Sequence, residues 1–356
     1  MAMNKLAQLA KVLDNENAKS FNIGIDVHKL SYHLAFRRSD GKTHTFVSSA
    51  DPLLVVRMIK NAKIEVVQIA YEAGPTGFGL ARTLLLAGFH VIVVAPSKTP
   101  RPVSRDAKTD RLDCVKLAEF SAKGMLSGIA VPTETEEADR ALVRRRHDVA
   151  EEIRRTKQRI KSYLLVTGDK GLSSFGEQSL SAMERAPRQR SAQLVVQSLL
   201  RTLRFLAKEK KALEKEIALL MHDPAYETVS ACLKSVPGVG EVTSATFCAE
   251  IFRPERFENA GQVASLLGLA PVVRQSGLKK PTGRLVPTGQ KRLRALLLEA
   301  AWIWRAKDPC AREFYSKMVS KTGLPQKAIV AVARKLCVIL WTLAVKKRPY
   351  RLVEAA

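Results

Sequence analysis

Over its first hundred or so residues the chain alternates short apolar runs with polar breaks. FNIGIDVHK reads as a buried strand, and SYHLAFRRS and THTFVSS as two more, with Asp40-Gly41 marking a hairpin turn between that pair. A helix is predicted over residues 52–61. Strand EVVQIAYE, helix FGLARTLLLAG, strand HVIVVAP and a helix over 110–124 follow. The first three strands can form an antiparallel meander, and the rest give parallel crossovers.

That order of elements is the one found in ribonuclease-H-like domains, and it puts Asp26 in the middle of the first strand and Glu72 at the end of the fourth. Beyond residue 133 the pattern becomes long, charged and helical. The stretch 137–168 spans roughly 45 Å if helical throughout. A second helix is predicted over 187–221, with a loop or short helix between the two, so that an antiparallel pair, packed side by side or as a coiled coil, is the economical reading. From residue 225 onward the sequence reads as a compact helical domain. It includes a long helix in QKRLRALLLEAAWIWRA and a strongly apolar helix over 327–345. The predicted organisation is therefore an extension (1–20), an α/β domain (21–130), a helical arm (131–224) and a helical C-terminal domain (225–356).

Charge changes this picture. Lys and Arg number 59 against 34 Asp and Glu, a formal net charge of +25 over 356 residues. Such an excess repels itself and calls for a polyanion, with nucleic acid the first candidate and an anionic membrane the second. The cations are spread along the chain rather than clustered beside an apolar segment, which disfavours the membrane. No transmembrane helix and no secretory signal are expected. The five cysteines show no C-x-x-C pairing and no zinc spacing, and read as small buried residues of a reducing cytoplasm.

Against that background four acids stand out: Asp26, Glu72, Asp110 and Asp113. Asp110 and Asp113 lie at i and i+3 and share one helix face. Capping the helix would also explain this pair, since acids favour a first turn. Asp26, between Ile25 and Val27 in a buried strand, would cost several kcal/mol unless paired or metal-bound. Four gathered carboxylates repel one another unless a divalent cation neutralises them, and hard oxygen ligands favour Mg²⁺ or Mn²⁺.

Two further segments carry candidate chemistry. VPGVG has the form of a helix-hairpin-helix turn, in which Gly238 and Gly240 would let the backbone approach a phosphate; an ordinary turn between helices has the same form. In RQSGLKKPTGRLVPTGQKRLR, Ser276 is followed by Lys279, Lys280, Arg284, Lys291, Arg292 and Arg294. No histidine lies near enough in sequence to serve as base, so a local hydrolase triad is excluded, and dense cations fit phosphate capture. On composition alone Ser276 reads as a loop residue. Arg144, Arg145 and Arg155 line the first long helix, either as a solvated face or as a nucleic-acid surface.

Taken together, GIDVHK, YEAGPTGFGLARTL, KTDRLDC, SVPGVGEVTSA, FENAGQVASLLGLAP, RQSG and GQKRLRALLLEAA make the chain resemble the insertion-sequence-110 transposases, which include the Piv-type DNA invertases. The resemblance covers about residues 21–346. It implies a RuvC-like N-terminal domain, a coiled coil and a C-terminal transposase domain. By motif, the acidic catalytic set falls on Asp26, Glu72, Asp110 and Asp113, and a nucleophilic serine on Ser276. It also implies a recombinase that joins donor and target DNA through a phosphoserine, guided by a structured bridge RNA. Assembly as dimers and tetramers is implied as well, with the acidic site of one subunit meeting the serine of another. A cytoplasmic, nucleoid-associated protein is the corresponding expectation.

Overall fold

A computed structural model describes residues 20–100, 110–169, 174–270 and 289–351, with the backbone alone described at Asp110 and Arg111. The chain divides into two compact units, residues 1–133 and 134–356.

The first unit is a mixed α/β domain. Strands β1 (Ser20–Val27), β2 (Ser31–Arg38), β3 (Thr43–Ser49), β4 (Glu65–Glu72) and β5 (Val91–Val94) form one five-stranded sheet in the order β3-β2-β1-β4-β5. β1 to β3 are antiparallel, whereas β4 pairs parallel with β1 and β5 parallel with β4. The β2–β3 turn is made where predicted, with Gly41 at φ 94°. Helix α1 (Pro52–Asn61) starts where Asp51 accepts a hydrogen bond from the Leu53 amide at 2.9 Å and Pro52 supplies a pre-set φ. With α2 (Gly79–Leu86) it covers one sheet face, and Phe21, Ile23, Ile25, Phe36, Ile69 and Tyr71 fill the core between them. The other face carries α3 (Asp110–Ala122).

The second unit is helical. Its longest elements are α4 (Glu134–Val166) and α6 (Arg190–Leu220), joined through α5 (Glu177–Arg185). α4 begins at Glu134 rather than at residue 137, because Glu134, Glu136 and Glu137 in its first turn complement the helix dipole. An ion pair joins Arg146 to Glu214, while Ile160 and Leu164 pack with Val196, Leu200 and Leu203, so the two helices run antiparallel.

The remaining helices are α7 (Glu227–Lys234), α8 (Glu241–Ile251), α9 (Ala260–Leu266), α10 (Lys291–Lys307), α11 (Pro309–Thr322) and α12 (Pro325–Lys346). They enclose a core that includes Trp304, Phe247, Leu297, Leu336 and Leu340. By length and apolarity alone α12 could cross a membrane. Ala328, Ile329, Val332, Ala333, Leu336, Cys337, Leu340 and Ala344 are buried in the fold, which makes it a core helix of this unit. Of the cysteines, Cys114, Cys232, Cys248 and Cys337 are buried and Cys310 partly so, all as free thiols.

Candidate functional site

The acids of the first unit are positioned by strand register and by one helix. β1 and β4 lie side by side in parallel, with Ile25 opposite Tyr71 and Gly24 opposite Ala70. Ile25 and Tyr71 point into the core under α1 and α2. Alternation along a strand therefore turns Asp26 and Glu72 to the opposite face, the one carrying α3, at the same C-terminal edge of the sheet.

α3 crosses that face in a fixed register. Its Ser121 hydroxyl donates to Gln68 Oε1 at 2.7 Å and to Asn22 Oδ1 at 3.2 Å. One turn and a half earlier the helix rests on the strand backbone itself. A Cβ on Gly24 would stand 2.1 Å from the Cys114 carbonyl oxygen and 2.4 Å from the Ala118 nitrogen. From Asn22 to Asp26 the strand advances about 13 Å, and from Ser121 back to Asp113 the helix advances about 12 Å. The first turn of α3, carrying Asp110 and Asp113, is thus delivered to the level of Asp26 and Glu72. The Cys114 thiol registers this arrangement. Burial chiefly, then the nearby Asp26 carboxylate and more weakly that of Asp113, push it up to about 11.

Two expectations need correction. Asp26 is not in mid-strand but next to the last residue of β1, and its side chain is 23% exposed, so no burial cost demands a metal there. It also has a neighbour that the sequence reading passed over: His28 Nε2 lies 3.0 Å from Asp26 Oδ2. Glu72 and Asp113 have neither hydrogen bond nor ion pair among the described residues. No three His, Cys, Asp or Glu side chains among them stand close enough to hold a metal ion, and the side chain of Asp110 lies outside the described set. The carboxylates of Glu72 and Asp113 offer hard oxygen donors of the type that Mg²⁺ or Mn²⁺ takes.

The basic candidates of the second unit divide sharply. Arg144 is no free surface cation: its Nε and Nη2 donate to Glu250 Oε1 and Oε2 at 2.7 and 2.8 Å, and the Glu250 side chain is fully buried. That partner stands 106 residues away in sequence. Arg145 pairs at 3.4 Å with Glu152, and Arg155 at 3.3 Å with Glu151, both at the surface. Arg292 donates to Asp148 Oδ1 at 2.9 Å, Arg294 donates to the Gly268 carbonyl at 3.3 Å, and Lys291 is exposed at the start of α10.

The VPGVG segment joins α7 to α8, with exposed Gly240 preceding α8. Gly238, at φ 92°, makes its close approach to α10 instead. A Cβ there would fall 2.7 Å from the Ala300 carbonyl oxygen and 2.9 Å from the Ile303 Cβ. Ser276, Lys279, Lys280 and Arg284 lie outside the described residues. The two flanks of that segment meet: the Gln290 amide donates to the Leu266 carbonyl at 2.9 Å, and a Cβ on Gly289 would stand 2.6 Å from the Gly268 nitrogen.

Comparison with known proteins finds two family models that match this chain. A family model described as "Transposase IS116/IS110/IS902 family" matches residues 230–316, and a DEDD-type IS110 model described as a transposase matches residues 23–168. "Putative transposase y4rJ" of Sinorhizobium fredii is 30% identical over 77% of this chain and 76% of its own length. The transposase for insertion sequence element IS1533 of Leptospira borgpetersenii is 27% identical over 88% of this chain and 92% of its own. The pilin gene-inverting protein of Moraxella bovis is 30% identical over 36% of this chain and 40% of its own. The chain belongs to the IS116/IS110/IS902 transposase family. It is a transposase or recombinase, and as such acts on DNA.

Proposed function

We propose that this transposase cuts and rejoins DNA through Ser276, assisted by a divalent-metal site built from Asp26, Glu72, Asp110 and Asp113. The observation that carries the reading is the register of β1, β4 and α3, which sets Asp26, Glu72 and the first turn of α3 at one edge of the sheet. The matching DEDD-type model supports it, since these residues are Asp, Glu, Asp, Asp in chain order. A bound Mg²⁺ or Mn²⁺ would supply charge neutralisation at a phosphate and lower the pKa of a nearby hydroxyl. The carboxylates of Glu72 and Asp113 are poised to hold that ion, and Asp26 is oriented by His28.

In this reading a bond forms from Ser276 Oγ to the DNA phosphorus as one phosphorus–oxygen bond to deoxyribose breaks. The serine proton leaves and the departing sugar oxygen gains one. The phosphoserine keeps the strand's bond energy for rejoining. The sequence around Ser276 offers no histidine base, so the acidic site of a second subunit is the proposed activator, in a dimer or tetramer. A bridge RNA that pairs with donor and target DNA would supply sequence choice, while the protein holds backbones.

Further elements fit this assignment. The first unit is the RuvC-like domain. Buried positions on α6 recur at three and four residues, as at Val196, Leu200, Leu203 and Leu206, which fits a coiled-coil arm. The α7–turn–α8 hairpin, with open Gly240, fits a helix-hairpin-helix phosphate contact. The test incubates the protein with guide RNA, both DNA partners and Mg²⁺, followed by denaturation. A protein–DNA adduct is expected, absent in Ser276→Ala and in Asp26→Ala. Free 5′-phosphate ends with no adduct would replace this reading by simple metal-dependent DNA hydrolysis.

A further inference from the structure

α8 ends on Phe252, and the chain then turns through Arg253, in the left-handed conformation at φ 53°, into a single 3-10 turn over Pro254–Arg256. The turn is pinned from below, where Trp341 Nε1 donates to the Pro254 carbonyl at 2.8 Å. Three guanidinium groups stand over the Phe252 ring: Arg140 of α4 at 4.5 Å from its centre, Arg256 at 4.6 Å and Arg253 at 5.0 Å.

The acids nearby do not balance them. Glu136 lies 3.1 Å from the Arg253 guanidinium, and Glu137 and Glu136 act on Arg140 more weakly than Glu250 does. Glu250, the strongest acidic influence on Arg140, is already held by both arms of Arg144. Arg140 Nε and Nη2 are buried and meet no acceptor among the described residues. Arg256 Nε donates to the Ile251 and Phe252 carbonyls at 3.4 and 3.1 Å, which explains one arginine as a cap on the negative end of α8. It does not explain the other two. Burial, followed by repulsion from Arg253 and Arg140, lowers the Arg256 pKa to about 10. Like charges crowded on an aromatic platform, beside an exposed rim, are what a phosphodiester would relieve.

We infer that Arg140, Arg253 and Arg256 form a phosphate-holding node for a nucleic-acid backbone, with Glu136 as the internal carboxylate that the phosphate displaces from Arg253. This rests on the reading of the chain as a nucleic-acid enzyme but on none of its chemistry. None of the three arginines belongs to the basic segments around Ser276 or to the VPGVG turn.

The experiment measures binding of the full chain to a mixed-sequence duplex DNA and, separately, to a hairpin RNA across a range of salt concentrations. Arg253→Gln, which leaves the α8 cap intact, is expected to weaken binding severalfold. It should also flatten the slope of log affinity against log salt by about 0.9 for a contact on duplex DNA. Glu136→Gln is expected to tighten binding, because it removes the carboxylate charge that competes with a phosphate for Arg253. A change confined to one polymer identifies whose backbone the node holds. An unaltered slope in Arg253→Gln on both polymers, or weaker binding in Glu136→Gln, overturns the inference. No cleavage is involved, so a missing Ser276 adduct would remove the proposed chemistry and leave this node standing.

Discussion

The two units hold their ionised groups in opposite ways. In the second, a fully buried Glu250 is clasped by Arg144, and Asp308, 1% exposed, accepts from Trp304 Nε1, the Tyr350 hydroxyl and the Ala311 amide. In the first, Glu72 and Asp113 reach the edge of the sheet with no partner among the described residues, and Asp26 has only His28. A charge that the fold has satisfied on every side is committed to the fold. One left at a half-open edge is available to a ligand. Residue type alone does not separate the two cases, because each is an Asp, Glu or Arg flanked by helix- or strand-forming neighbours.

Arg144→Ala puts the sharpest strain on this comparison. It strands the Glu250 carboxylate in the core, and breaking a buried pair in this manner costs about 3–5 kcal/mol. Denaturant unfolding should show that loss, whereas Asp113→Asn should stay within about 0.5 kcal/mol of the native protein. Equal costs for the two substitutions would erase the distinction.

Gly24→Ala probes what positions the open edge. The added methyl meets helix backbone at 2.1 and 2.4 Å, neither of which can swing aside, so α3 must lift. Overpacking of this sort costs about 1–3 kcal/mol. Because Asp113 moves with the helix, the adduct yield should fall further than the stability loss explains. Full activity in a destabilised Gly24→Ala protein would show that α3 does not set the site.

The smallest effect concerns Tyr350. Burial and its hydrogen bond to Asp308 push the phenol from 10.0 up to about 12. The raised value means that the fold prefers the protonated phenol. Its contribution is therefore complete below pH 10 and lost as pH rises towards 12. Across that interval the native protein should lose stability more steeply than Tyr350→Phe; identical slopes would mean the Asp308 cluster does not feel the phenol.

Much of the first unit was legible before any coordinates, because its signals are local. Alternation and the Asp40-Gly41 turn each act within a few residues, and the antiparallel meander of β1 to β3 follows from them. Asp26, Glu72, Asp110 and Asp113 stand out by residue type, but depth is not legible in the sequence. Asp26 looked buried between Ile25 and Val27, yet its position next to the end of β1 lifts it to the rim. The fate of Arg144 was hidden, since its partner is set by how α8 packs on α4 and not by any neighbour in the chain. The arginines about Phe252 left a faint trace, the basic–aromatic interleaving of FRPERF, which means little until α4 brings Arg140 to the same ring. Gly238 shows a related limit, as its glycine requirement was readable but the neighbour that imposes it, α10, was not.

The pinch between Gly268 and Gly289 has a consequence for how such a protein can change. Leu266, Gly268 and Arg294 already hold the two ends together, so the second unit bears the cost of closing whatever chain runs between them. Each doubling of a connection's length then adds only about 0.6 kcal/mol. The helical core on either side of the connection therefore keeps its packing whatever length of chain it closes. Selection can then act on the connection and on its scaffold at separate rates.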